Sequence, residues 1–427
     1  MKVIIFAFVL TFISAVSTFE IKKIEGVKGH INNVHFDSKC NSYVHCDDMN
    51  EGDYIDRIYK LDPENNIIWA KEVVNGGCRT VLNNNDDLYL ACYSFDEDTI
   101  FNISIIRANS SEKEYITTVR DFYSIINDNN GNLIYTITHP GLYFLKYNTT
   151  EPVLVKNLEN FIRSYGATIS DKSGNTYLSG HRWDMEINDI AEYQFAVVRG
   201  DSIQGTPEGY VVEGLLDDPI NLGVQSAEIT PNNEVLVSVT DGKTNSSIKM
   251  IANETITTIY VSGEYQRYEI FSGKTRVLIA GYDFSNGKSL ISSLGLDGDI
   301  VEIRNSKNET WDTSVKTILI DSEGNAFIKW NPLLEDRTVL NFLNYTDTMT
   351  FDVDLGDVEK IDRMNFDGNN NLWITTADNE FYFVEKGSLE LQKVVDLSTI
   401  VSVWTNTKKE ASEIYTNIDY EYYVISK

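Results

Sequence analysis

The sequence predicts an all-β fold, a single closed β-propeller of four-stranded blades. Three observations carry this. A polar turn recurs along the whole chain, helical periodicity is absent, and the turns are mostly about 40–50 residues apart, the spacing of one propeller blade. The clearest copy is residues 366–386, FDGNNNLWITTADNEFYFVEK, which alternates strand and polar turn. Its second part, LWITTADNEFYFVEK, aligns without a gap on the last fifteen residues, EIYTNIDYEYYVISK, matching at Thr375/Thr416, Asp378/Asp419, Glu380/Glu421 and Tyr382/Tyr423.

Taken in order, the chain begins with Lys2, an apolar run over residues 3–13, and the small-x-small pattern Ala15-Val16-Ser17. Residues 1–17 are therefore read as a secretory signal peptide, and residues 18–427 as one propeller domain. The turns follow as DSKCN from Asp37, NNNDD from Asn83, NDNNGN from Asn127 and SDKSGN from Ser170. They continue as TPNNE from Thr230, FSGKTR from Phe271, IDSEGN from Ile320, NFDGNN from Asn365 and a degenerate NTKKEA from Asn406. Asn-Gly and Gly-Asn clusters between apolar runs suit hairpins, because these residues accept a positive φ cheaply.

Each turn is preceded by one short strand and followed by two more. In the first unit these are residues 33–36, 42–46, 55–61 and 67–74, and the fourth unit carries an insertion around residues 184–192. A lone four-stranded sheet cannot bury both faces, whereas a ring of sheets can. Nine units are counted, and seven or eight blades also fit if a marker is false. The ninth unit supplies three strands, and residues 19–27 (FEIKKIEGV) resemble a fourth. The termini are thus expected to meet in one blade, which removes the open sheet edges.

The acidic balance, 36 basic against 64 acidic residues and a net charge of −28, excludes nucleic acid and anionic membrane surfaces as partners. No later run approaches the ~20 apolar residues of a membrane span, so no membrane insertion is expected. Secretion makes the four cysteines two expected disulfides. Cys78 and Cys92 are symmetric about Asn85 in a hairpin turn and can face each other on paired strands; Cys40–Cys46 follows by elimination if that segment curls. It also makes seven sequons, at Asn102, Asn109, Asn148, Asn245, Asn253, Asn308 and Asn344, expected glycan acceptors.

The repeated D-x-x-G-N-hydrophobic turn, as in residues 171–177 and 321–327, resembles that of secreted NHL-like and gluconolactonase-like propellers. A secreted, Cys-bearing, Tyr- and Asn-rich propeller also resembles the insect ommochrome-binding proteins, and this resemblance implies a small aromatic pigment as ligand.

In a blade, the loop between the second and third strands shares a face with the crossover to the next blade, and ligands are expected there. His45, Tyr93, His139, His181, Trp183, Tyr282, Asn331 and Asp378 mark that face as a mixed aromatic and polar ligand site. His35 and His45 can face each other across the first hairpin, but without a third ligand they predict no metal site. No cofactor is implied, no catalytic constellation is found, and the G-x-S-x-G elbow of serine hydrolases is absent. The expected function is a secreted, non-enzymatic binding protein for a small organic ligand. The alternatives are a metal-dependent lactonase-like hydrolase and a propeller that binds an extracellular protein.

Overall fold

The computed structural model describes residues 19–427 except 51–52, 75–76, 94–99, 121, 129, 138–140, 159–160, 185–188, 200–207, 214, 217–222, 241–245, 253–254, 263–266, 284–285, 296–298, 313–314, 332–336, 397–401, 406, 408, 410–412 and 419–420. The expected signal peptide, residues 1–17, lies outside the described residues, as do His139, Asn245 and Asn253.

The described strands form nine antiparallel sheets of four, one per blade. Blade 1 is His30–Phe36, Ser42–Asn50, Asp53–Leu61 and Ile67–Val74 in spatial order. The first strands of most successive blades contact one another, so they are innermost and line the central channel. From blade 2 onward they are Cys78–Leu82, Phe122–Asn127, Phe161–Ser170, Gly223–Ile229, Arg267–Ser272, Val315–Ile320, Ile361–Phe366 and Ser402–Thr405. Blade 9 is completed by Glu413–Ile418, Glu421–Ser426 and, as its outermost strand, Glu20–Lys23, with Glu20 paired to Ser426 and Lys23 to Tyr423.

The core is divided into nine apolar clusters, one in each interface between neighbouring blades. Strand alternation produces this. In blade 2, Leu88 and Leu90 pack towards blade 1, while Tyr89 and Ala91 pack towards blade 3. Both faces of each sheet are therefore dry, and second strands such as LYLACY, LIYTI and LWITT are buried along nearly their whole length.

The recurring turn joins the first two strands of a blade, and its residues have separable roles. In residues 37–41, the Asp37 carboxylate accepts the amides of Lys39 (2.9 Å) and Asn41 (2.8 Å) and the side-chain amide of Asn41 (2.7 Å). The same set recurs at Asp128, Asp171, Asp321 and Asp367. In seven of the turns the fourth position has positive φ: Cys40, Asp86, Gly131, Gly174, Asn233, Gly324 and Asn370. This is a three-residue hairpin loop ending in a left-handed residue. The closing Asn also accepts an amide from the turn between the third and fourth strands, as Asn132 does from Tyr147 and Asn371 from Lys386, both at 2.9 Å. The motif thus ties together the two turns on one face of its blade.

Cys78 and Cys92 stand directly opposite each other, with Cα atoms 4.0 Å apart, and form a disulfide. The second expected bridge does not form: Cys40 and Cys46 are free. Cys40 is held in the blade 1 turn, whereas the strand from Ser42 runs straight and buries Cys46 in the interface with blade 9. The expected curl is absent.

Candidate functional site

The described structure has a cavity of ≈ 700 Å³ at one mouth of the channel. It is walled by the first-to-second-strand turns of blades 4–8, Thr407 of blade 9 and the ends of inner strands. Consecutive antiparallel strands place these turns on the same face as the third-to-fourth-strand turns. The expected ligand loops lie on the opposite face.

The mouth is framed by turn-to-turn bonds between blades. The second turn position donates its amide to the side chain of the fourth position in the next blade: Ser38 to Asp86 (2.7 Å), Lys172 to Asn233 (2.9 Å) and Ser322 to Asn370 (3.4 Å). Where the fourth position is glycine, the preceding turn fills the space. A Cβ on Gly174 would lie 1.9 Å from Asn130 Nδ2, and one on Gly131 would lie 2.3 Å from Asn85 Nδ2.

Inside this frame the wall has a half-buried apolar part, Ile229, Ile320 and Phe366, beside the carboxyl group of Glu228 and the exposed ammonium of Lys274. Asp321 and Asp367 are occupied in their turns. Lys172 donates to the Pro231 carbonyl, 3.3 Å away. Glu228, by contrast, has no side-chain hydrogen bond among the described residues, and burial pushes its pKa up to about 7. Near neutrality it can act as a neutral donor or as an anionic acceptor towards a ligand.

Of the residues expected to bind ligand, the described side chains of His45, Tyr93, His181, Tyr282, Asn331 and Asp378 do not line this cavity. They are spread over six blades. His45 is buried in blade 1 with its Nε2 2.6 Å from Asp56 Oδ1. It stands opposite Asn33 rather than His35, which pairs with Tyr43, so the expected histidine pairing is replaced. His35 instead contacts Thr80 Oγ1 at 2.9 Å, and burial brings its pKa down to about 4. Tyr93 packs its ring edge-on against Phe101. His181 is half-buried, its pKa lowered by burial, and Trp183 follows on the same strand, paired with Ile190. Tyr282 is half-buried on the second strand of blade 6, whereas Asn331 and Asp378 are exposed at strand ends. Sequence reasoning missed Glu228 and Lys274. The turns beside them were legible as repeats, but their convergence on one mouth depends on the ring.

Of the sequons, Asn109, Asn148, Asn308 and Asn344 are exposed, and Asn102 is partly buried with its Oδ1 accepting from Thr118. Asn109, Asn148 and Asn344 lie on third-to-fourth-strand turns, on the outer part of the cavity face.

No protein-family model matches the sequence, and no curated protein matches it. Among solved structures, it is similar to the dihydro-heme d1 dehydrogenase NirN, with TM-score 0.49 and 10% identity over 86% of this chain and 77% of that one. It is similar to the Dos1 propeller, with TM-score 0.48 and 6% identity over 95% and 94%. It is also similar to the β-propeller domain of the Trilobed protease from Pyrococcus furiosus, with TM-score 0.42 and 10% identity over 86% and 96%.

Proposed function

We propose that this chain is a secreted, non-enzymatic binding protein that holds a small organic ligand with an apolar, aromatic body at the channel mouth. The observation that carries the reading is the ≈ 700 Å³ cavity, in which Ile229, Ile320 and Phe366 adjoin Glu228 and Lys274. Pockets of this size with an apolar wall and a few fixed polar groups suit small organic molecules. The Lys274 ammonium suits a carboxylate or phenolate on the ligand, and Glu228 a hydroxyl or amine. Secretion is supported by the apolar leader, the sequons and the Cys78–Cys92 bridge.

The test is native mass spectrometry and visible absorbance of the protein taken from its source fluid. A retained small-molecule adduct is expected, and Ile320→Trp, which fills the cavity, should lose it. Protein free of any adduct, or an adduct equally retained by Ile320→Trp, overturns the assignment. Turnover of lactones that is lost on chelation replaces it with a metal-dependent hydrolase.

A further inference from the structure

We infer that His45, Asp56 and Cys78 form a divalent-metal site that the Cys78–Cys92 disulfide keeps closed and that reduction opens. The site lies in the interface between blades 1 and 2, and the inference is independent of the channel-mouth reading. His45 and Asp56 come from the second and third strands of blade 1, and Cys78 from the innermost strand of blade 2. One ligand atom from each lies within 4.8 Å of the others.

Asp56 points to a missing cation. Its side chain is fully buried, and although Oδ1 contacts His45 Nε2 at 2.6 Å, Oδ2 has no hydrogen-bond partner. A buried carboxylate oxygen without a donor is destabilising. A simple His–Asp pair leaves that oxygen unexplained, whereas a cation beside it supplies the missing partner.

The donor set fixes the class of metal. An imidazole nitrogen, a carboxylate oxygen and a thiolate suit a borderline cation of the zinc type, and a single carboxylate is too little oxygen for calcium or magnesium. In the oxidised protein the Cys78 sulfur is uncharged and bound to Cys92, so only two ligands remain. An external dithiol supplies two electrons and two protons, the Cys78–Cys92 bond breaks, and the dithiol leaves as its own disulfide. Metal entry then displaces the two thiol protons and moves the His45 Nε2 proton to Nδ1. Cys92, released beside Cys78, supplies the fourth donor. Cys78 is only partly buried and lies on the strand lining the channel, which provides the way in.

The experiment is a cobalt(II) titration of the full secreted chain carrying Cys40→Ser and Cys46→Ser, so that the free thiols contribute nothing. The protein is reduced with a dithiol, freed of it without air and compared with the oxidised form. The reduced protein should keep its β-sheet circular dichroism and take up one cobalt, with thiolate-to-metal charge-transfer and tetrahedral bands. The oxidised protein should show neither band. Cys78→Ser should lose the charge-transfer band, and Asp56→Asn should weaken binding by roughly tenfold or more. Loss of the fold on reduction, absence of the bands, or bands unchanged in Cys78→Ser overturns the site. If Cys78→Ser does not fold, undiminished affinity in Asp56→Asn does the same.

Discussion

At the residue scale, Glu228 makes stability depend on pH in a stated direction. Its pKa is about 7 in the folded protein against an ordinary 4.5, so between these values the folded state holds a proton that the unfolded state has released. Stability must therefore fall as pH rises through that window and stay lower above it. Glu228→Gln removes the fall. In thermal melts the variant should exceed wild type by roughly 2 °C above neutrality and match it in acid, where both side chains are neutral. Equal melting temperatures at both ends would show that the carboxyl is well solvated. Gly174 is a backbone case. Its φ of +84° is one that L-residues resist, so Gly174→Ala should cost roughly 1–2 kcal/mol in urea unfolding. Gly356, also at positive φ, has open space around its Cβ position. A Gly356→Ala variant measured alongside isolates the backbone cost from contact with Asn130.

At the scale of the element, one turn chemistry appears in two settings. Asp367 accepts the amides of Asn369 (2.9 Å) and Asn371 (3.0 Å) and the indole N–H of Trp373 (2.9 Å), and it is buried. Asp62, in an outer turn of blade 1, accepts the amides of Glu64 (3.0 Å) and Asn66 (2.8 Å) but is far more exposed. Water can replace a donor or acceptor lost at Asp62 but not at Asp367. Asp367→Ala should therefore cost roughly 2–4 kcal/mol and Asp62→Ala about 1 kcal/mol or less. Chemical denaturation of both variants checks the order, and a reversal would mean that burial does not govern these turns. The turns were legible in the sequence because most of them hold a short polar acceptor, a positive-φ residue and a polar closing residue within five residues. The link between blades was not. Ser322 and Asn370 are 48 residues apart, and nothing in either marks the other as its neighbour.

At the scale of the molecule, the ring is closed by the pairing of Glu20–Lys23 with the last strand, and by Phe19 packed against Trp373 and Phe383. The Lys23–Glu421 ion pair across this seam is exposed to water, so Lys23→Ala should leave the melting temperature almost unchanged. Deleting residues 19–23 removes a whole strand and the Phe19 ring contacts. It should lower the melting temperature of the entire domain in one transition, by far more than Lys23→Ala; a truncated protein that melts like wild type refutes closure at this seam.

The sequence by itself determined what local chemistry dictates: the β class, four strands per blade, the recurring turn, and the Cys78–Cys92 pairing across a hairpin; of the seven, eight or nine blades it allowed, the structure has nine. These rest on contacts between residues close in the chain, where turn geometry and strand alternation leave few choices. Only the tertiary structure decided what depends on neighbouring blades. It separated Cys40 from Cys46, because a straight strand lies between them. It placed His45 against Asp56 and Cys78 rather than His35, because strand alternation turns the His45 side chain towards blade 2. It also gathered Glu228, Ile320 and Phe366 at one channel mouth. Closing a ring brings together residues far apart in sequence, and no local pattern records which of them will meet.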